Sequence, residues 1–249
     1  MRNVWIITAA MTVLAICYTM IIPFLPIYLL ELGVPKADVA LWSGLVFGIT
    51  FLIAGIMAPI WGKIADNKGK KRMALRAGFA IAICYVLIGL VTDQYQLLMG
   101  RALVGFANGF YPAAMTMVSL SVDEKQVGRA LGIFQTGLIL GNVIGPFLGG
   151  AVESVVGMRP VFYVSGIAVF IATLAVLFFV KEPKLHAVGA DGKEQAAHHT
   201  KSTSLREDFK AVQQQPVLVR LLWIFFFMQC AIMMLQPILA LYVGDMQGT

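Results

Sequence analysis

The chain has 249 residues, of which 59% are hydrophobic and only 13% are charged, and its mean hydropathy is +0.82. Soluble globular domains carry roughly 25% charged residues, so this composition excludes one: too few polar side chains exist to cover its surface. The net charge of +6 would suit a nucleic acid, but the placement of the basic residues explains it without such a partner. The three cysteines and three histidines lack metal-ligand spacing, so we expect neither a metal nor a cofactor.

Apolar segments long enough to cross a membrane follow one another along the chain. A membrane-spanning helix needs about 20 apolar residues to cross a hydrocarbon core of about 30 Å. The stretches 4–30, 39–62, 130–152, 160–180 and 221–244 meet this length without a charged residue. Two further stretches each contain an arginine: Arg76 at the start of 73–92, and Arg101 inside 95–120. Backbone groups in lipid must bond within their own segment, so we predict seven transmembrane helices and an all-α membrane protein.

The connections between these spans differ in charge and in length. Basic residues gather after the second, fourth and sixth spans, and few lie in the other connections. Positively charged connections stay in the cytoplasm, which predicts a cytoplasmic N-terminus and a multi-pass protein of the plasma or inner membrane. The long polar stretch 181–216 predicts a cytoplasmic loop between a six-helix bundle, residues 1–180, and a seventh helix, residues 217–249. We expect the chain to be truncated before the rest of a C-terminal bundle.

The segment 62–72 joins the second and third spans and reads Gly-Lys-Ile-Ala-Asp-Asn-Lys-Gly-Lys-Lys-Arg. Because glycine permits left-handed turns and close backbone approach, the segment predicts a tight hairpin; the alternative is an ordinary positively charged loop. Its spacing resembles the loop between helices two and three of the major facilitator superfamily, although Asn67 stands where many members have Arg or Lys. That resemblance implies that Asp66 latches an inner gate against the second bundle. The gating residues would be Gly62, Asp66, Gly69, Lys70, Lys71 and Arg72.

Arg101 lies inside the fourth span, where a charged side chain costs about 2.5–3.5 kcal/mol at mid-membrane. Two interpretations stay open. The side chain extends to the outer surface near Asp93, or it faces an internal cavity while the neighbouring glycines allow close helix contact. The surrounding run 98–109 resembles the helix-four motif of the superfamily, and this resemblance implies a role for Arg101 in proton coupling.

Glycines recur every four residues along the fifth span, from 137 to 149. This spacing predicts a smooth helix face for tight packing, and a proline on the same helix invites a bend. A generic packing face would explain the pattern. The Gly-Pro-x-x-Gly-Gly ending also resembles the antiporter motif of exporters in the superfamily, which favours export over import. The residues of this motif are Gly137, Gly141, Gly145, Pro146, Gly149 and Gly150.

Further stretches, from 23–28 to 237–243, resemble the MdtG-type multidrug exporters of the superfamily. The resemblance implies a proton antiporter that exports drugs or other amphipathic small molecules by alternating access. Its partners would be membrane lipid, a drug-like substrate, protons and a C-terminal half. The alternatives are a metabolite or nutrient symporter of the same superfamily and an inactive truncated half-transporter. An integral membrane enzyme is not expected, because no histidine lies in a predicted span. A primary pump is not expected either, because no Walker-type phosphate loop occurs.

Polar residues within the predicted spans are the candidates for substrate contact. They are Tyr18, Asn108, Tyr111, Gln135, Asn142, Gln229 and Gln236. The interior of the spans holds no carboxylate. We therefore expect the proton to be carried by a peripheral acidic group, such as Glu31 or Asp66, or by the second bundle, which we favour.

Overall fold

The structure is a computed structural model that describes residues 1–180 and, further along, residues 215, 217, 219–221 and 223–228. Most of the predicted loop 181–216 lies outside the described residues. So does most of the predicted seventh span, with the candidates Gln229 and Gln236. The described residues of that span between Val219 and Met228 are helical and, apart from Arg220, apolar.

Residues 1–180 fold into α-helices joined by short connections, with no strand in this range. The helices are α1 (Arg2–Ile21), α2 (Leu25–Glu31), α3 (Val39–Lys68), α4 (Lys70–Gly89), α5 (Gln94–Ala107), α6 (Phe110–Leu120), α7 (Val127–Val156) and α8 (Met158–Phe179). A short 3₁₀ helix, Glu124–Gln126, precedes α7. With α5 and α6 counted as one span, six helical stretches in this range are long and apolar enough to cross a membrane. The predicted six-helix bundle is confirmed.

The helices pair closely inside this bundle. Helix α1 packs along α7 and α8, α4 packs along α8, and α3 packs along α5. Fully buried aromatic side chains fill the spaces between them, among them Tyr28, Tyr85, Phe134 and Phe162. Since lipid tails are as apolar as these side chains, close packing and hydrogen bonds between helices hold such a bundle together.

Two of the predicted spans are interrupted, which hydropathy alone did not predict. The first, 4–30, breaks after Ile21, close to Pro23 and Pro26, and resumes as α2. The fourth, 95–120, breaks between α5 and α6 at Asn108 and Gly109. Prolines have no N–H to donate within a helix. Near each break they remove the donor that a continuous helix would need.

The hairpin between the second and third spans is shorter than predicted. Helix α3 continues to Lys68 and α4 begins at Lys70, so Gly69 alone makes the turn. Its φ of 96° lies in the region that favours glycine. Gly62 was expected to share in this turn, but it lies inside α3, which continues for six more residues to Lys68.

Candidate functional site

The basic residues around Gly69 are partly bound to the bundle itself. Lys70, the first residue of α4, forms a salt bridge with Asp66 of α3 across the Gly69 turn. The Lys71 Nζ donates to the carbonyl oxygen of Leu177 over 2.8 Å. Leu177 lies in the last turn of α8, where a positive charge complements the helix dipole. The Asp66 side chain stays 69% exposed, so it remains accessible to another group at this end of the bundle.

A cavity of about 380 Å³ lies beside this turn. It is lined by α3, α4, α6 and the break before α6, and its walls are mostly apolar. The polar residues in the lining include Asp66, Lys70, Asn108 and Thr116. The structure therefore brings residues of the predicted gating loop together with Asn108, one of the predicted substrate contacts.

The Arg101 side chain is buried inside the bundle, with only 2% of the residue exposed. The side chain does not extend to the outer surface, so the interpretation that places it there, near Asp93, is wrong. The ionisable residues that interact electrostatically with its guanidinium are Tyr85 of α4 and Tyr18 of α1. Within the described part of the chain, its Nε and one terminal nitrogen have no hydrogen-bond partner. Arg101 thus holds a positive charge at the contact of three helices, with donors available to a further group.

The backbone at Arg101 is fixed by α3. The Thr50 hydroxyl donates to the Arg101 carbonyl oxygen over 3.2 Å. Four residues on, Gly105 approaches the same turn of α3 so closely that a Cβ there would lie 2.5 Å from the Thr50 carbonyl oxygen. The predicted close contact at the glycines of this motif is present, and it fixes the position from which the guanidinium projects.

The glycine row of the fifth span packs against α1 along most of its length. A Cβ at Gly141 would lie 2.7 Å from both the Thr12 carbonyl oxygen and the Ala15 Cβ, and one at Gly145 would lie 2.7 Å from the Ile16 carbonyl oxygen. The other row positions, Gly137 and Gly149, meet α1 as closely. A Cβ at Gly150 would instead lie 3.3 Å from the Phe24 ring, and Pro146 lies within the continuous helix α7.

The predicted substrate contacts fall into separate environments. The Gln135 side-chain nitrogen donates to the Tyr111 hydroxyl over 3.1 Å, which joins α7 to α6. Tyr18 is half-buried beside Arg101. Asn142 is exposed on α7, and the Asn108 side chain accepts a hydrogen bond from the Gly109 amide over 2.7 Å. Two of these candidates are therefore paired with each other, and one belongs to the Arg101 environment.

Two further residues at the site, Trp61 and Arg76, were not predicted as functional. The Trp61 indole donates to the Phe106 carbonyl oxygen over 2.8 Å, and Arg76 donates to the carbonyl oxygens of Ala107 and Asn108. The sequence does indicate the helix break at which this cluster lies. Asn108-Gly109 is a turn dipeptide, and Pro112 cannot complete the helix across it. The sequence alone shows Arg76 only as a charge at the start of a span.

No group of three or more His, Cys, Asp or Glu side chains lies together in the part of the chain that the structure describes. The arrangement offers a mostly apolar cavity with a few polar residues in its lining, and, apart from that cavity, a buried positive charge at Arg101.

Comparison with known proteins gives concordant results. The family model described as Major Facilitator Superfamily matches residues 7–249. The Multidrug resistance protein MdtG of Proteus mirabilis is 35% identical over the whole chain, and that of Dickeya zeae is 34% identical over 99% of it. The chain spans 60% and 58% of the lengths of these relatives.

Solved structures share the fold at low sequence identity. The human organic anion transporter MFSD10 superimposes with a TM-score of 0.64 at 16% identity, covering 73% of this chain and 48% of its own. The POT family transporter PepTSo superimposes with a TM-score of 0.64 at 17% identity, covering 71% of this chain and 37% of its own.

Proposed function

The chain belongs to the major facilitator superfamily, and we propose that it forms the N-terminal part of a transporter that exports drug-like amphipathic molecules in exchange for protons. It is a multi-pass membrane protein. The proposed setting is the plasma or inner membrane. The N-terminus would lie in the cytoplasm, because it is on the same side of the membrane as the basic connections, and such connections stay in the cytoplasm. The relatives named as multidrug resistance proteins support this class of substrate.

The observation that carries export as the direction is the packing of the α7 glycine row against α1. The spacing of the four glycines and Pro146 resembles an exporter-type motif, and the glycines leave no side chain of α7 between the two helices. Small residues at such a face allow backbones to approach closely. A tight contact between the first and fifth spans would close that side of the bundle to passive leakage.

In this proposal Asp66 and Arg101 have different tasks. Asp66, which is exposed beside the cavity, binds a helix of the second bundle when the inner gate is closed. Arg101, which is buried against two tyrosines, couples the movement of protons to that of substrate. The peripheral gating residues Gly69, Lys71 and Arg72 hold the turn, and Tyr18, Asn108, Tyr111, Gln135 and Asn142 contact substrate. Gln229 and Gln236 would extend this set.

Efflux of a fluorescent amphipathic dye from energised cells tests the proposal. This chain alone should leave efflux at background, whereas the chain produced together with any downstream reading frame should export the dye. Collapse of the proton gradient should stop export. Export that persists without a proton gradient would contradict the antiport mechanism.

Asp66→Asn should abolish efflux in the exporting form while membrane expression stays normal, because the amide keeps the shape of the side chain but loses its charge. Asp123→Asn is the matched control: Asp123 is also exposed and lies in the connection after the fourth span. Unchanged efflux in Asp66→Asn would reject the gating role.

Arg101→Ala should abolish proton-linked efflux, because it removes the buried charge between α1 and α4. Arg101→Lys keeps a charge but loses the planar fork, so partial coupling is expected. Proton release on addition of dye, followed in inverted vesicles, measures this directly. Full coupling in both variants would exclude Arg101 from the proton pathway.

A further inference from the structure

The break between α5 and α6 leaves backbone carbonyls without their usual donors. In a continuous helix each carbonyl oxygen accepts from the amide four residues on, so Asn108 would need a donor at position 112. Pro112 has no N–H. Gly109 has a φ of 130°, which turns the chain away from the helical path. In a membrane such unsatisfied groups are tolerated only where protein or water supplies a partner.

Two side chains from other helices supply that partner. The Arg76 Nη2 of α4 donates to the Ala107 carbonyl oxygen over 3.2 Å and to the Asn108 carbonyl oxygen over 3.1 Å. The Trp61 Nε1 of α3 donates to the Phe106 carbonyl oxygen over 2.8 Å. Three successive carbonyls at the end of α5 are thus held from outside their own helix. The positive charge also lies at the negative end of the α5 dipole.

Arg76 and Trp61 hold each other as well. The guanidinium carbon of Arg76 lies 3.6 Å from the centroid of the Trp61 ring, a stacked cation–π contact. The Trp61 ring meets Phe106 edge to face, with centroids 5.3 Å apart. The two side chains therefore form one unit, here termed the clamp, which consists of Trp61 and Arg76.

The clamp connects the regions that carry Asp66 and Arg101, the two residues with separate tasks in the proposed transporter. Trp61 immediately precedes Gly62, and Arg76 lies one turn after Arg72, so both residues are rooted in the helices that the Gly69 turn connects. The carbonyls that they hold end α5, the helix that carries Arg101. Trp61 and Asn108 also line the cavity that contains Asp66.

We propose that the clamp is a positioning device: it transmits displacement of α3 and α4 at the Gly69 turn to α5, and thereby to Arg101, while α6 swings about Asn108 and Gly109. Its role in transport rests on the proposed function. The proposed mechanical link from α3 and α4 to α5 does not rest on that function, because it is argued from the contacts of Trp61 and Arg76.

Hydrogen–deuterium exchange on the 249-residue chain in bilayer nanodiscs tests this link. Arg76→Gln removes the charge that holds two carbonyls, so amide exchange in residues 104–113 should become about tenfold faster, the effect of losing a hydrogen bond to a charged group. Arg76→Lys should restore part of the protection, and Arg129→Gln, at an exposed arginine of α7, should change nothing. Faster exchange spread evenly over all helices would overturn the proposal.

Trp61→Phe gives an independent variant should Arg76→Gln fail to fold. Phenylalanine keeps an aromatic face for Arg76 but lacks the indole N–H. Exchange in 104–113 should rise by a smaller factor than in Arg76→Gln. Unchanged protection in this segment would contradict the assignment of Trp61 to the clamp.

A double-mutant cycle tests transmission. Gly69→Ala strains the turn, since the φ of Gly69 is positive, and should alter exchange in 104–113 when Arg76 is present. In the Arg76→Gln background the same change should add nothing there, because coupled sites are non-additive. Additive effects would overturn transmission through the clamp. None of these measurements depends on transport. Failure of the export proposal would be seen separately, as a lack of dye efflux.

Discussion

Helices α3 and α7 each carry a row of glycines at helical spacing, yet the two rows meet different surroundings. In the packed row, Gly137, Gly141, Gly145 and Gly149, every added Cβ would collide with α1. In the open row, Gly44, Gly48, Gly55 and Gly62, no atom of the described residues lies within 4 Å of an added Cβ. Helical spacing of glycines therefore does not by itself mean burial: the packed row is a helix contact, and the open row has no such contact among the described residues.

The largest expected difference between the rows comes from a bulky side chain. Gly145→Leu should destabilise the bundle by about 3 kcal/mol or more, because the new side chain meets backbone of α1 that cannot move aside. Gly48→Leu, the matched change in the open row, should not destabilise the bundle, because the new side chain meets open space and leucine favours a helix more than glycine does. The free energy of unfolding by steric trapping in bicelles gives both values. Equal losses would show that the open row is also a packed contact.

A smaller substitution should separate the rows by sign. Gly141→Ala places a methyl group 2.7 Å from a carbonyl oxygen of α1 and should cost about 1–2 kcal/mol. Gly55→Ala adds the same methyl group to open space within a helix and should stabilise the protein by about 0.5–1 kcal/mol, the propensity difference between the two residues. Thermal unfolding of detergent-solubilised protein would reveal the two directions. A loss of stability in Gly55→Ala would contradict the distinction.

The smallest effect concerns a hydrogen bond that the packed row permits. Thr19 of α1 donates to the Gly141 carbonyl oxygen over 3.3 Å and to Ala15 of its own helix over 2.8 Å. Thr19→Val keeps the shape and should cost about 0.6 kcal/mol, the mean for hydrogen bonds between membrane helices. Thr136→Val, which affects only a bond to Gly132 within α7, is the control in the same unfolding assay. Equal costs would mean that the contact across the helices contributes nothing.

The membrane spans were predictable because lipid imposes a simple rule on composition. A helix that crosses hydrocarbon must be apolar over about 20 residues, and this requirement is visible without any knowledge of neighbouring helices. The breaks after Ile21 and Ala107 were missed because hydropathy counts side chains and ignores missing amide donors. The prolines and the Asn108-Gly109 pair indicate these breaks, but only if the backbone donors and acceptors of each span are counted.

The site was predictable in part for a similar reason. Asp66, Arg101 and the α7 glycines were identified by their motifs, which are local in sequence. The clamp was not, since Trp61, Arg76 and the end of α5 are separated along the chain and meet only when α3, α4 and α5 pack. The pairing of Tyr111 with Gln135 likewise depends on how α6 lies against α7.

By itself the sequence determined that this chain enters a membrane as helices, which apolar stretches supply them, and which family motifs those stretches resemble, because these properties depend on composition and short spacing. Only the tertiary structure decided which glycine row is packed, that the Arg101 charge is buried beside two tyrosines, and that Arg76 donates hydrogen bonds to the backbone at the end of another helix. Those outcomes depend on distances between helices, which side-chain packing sets and no single helix contains.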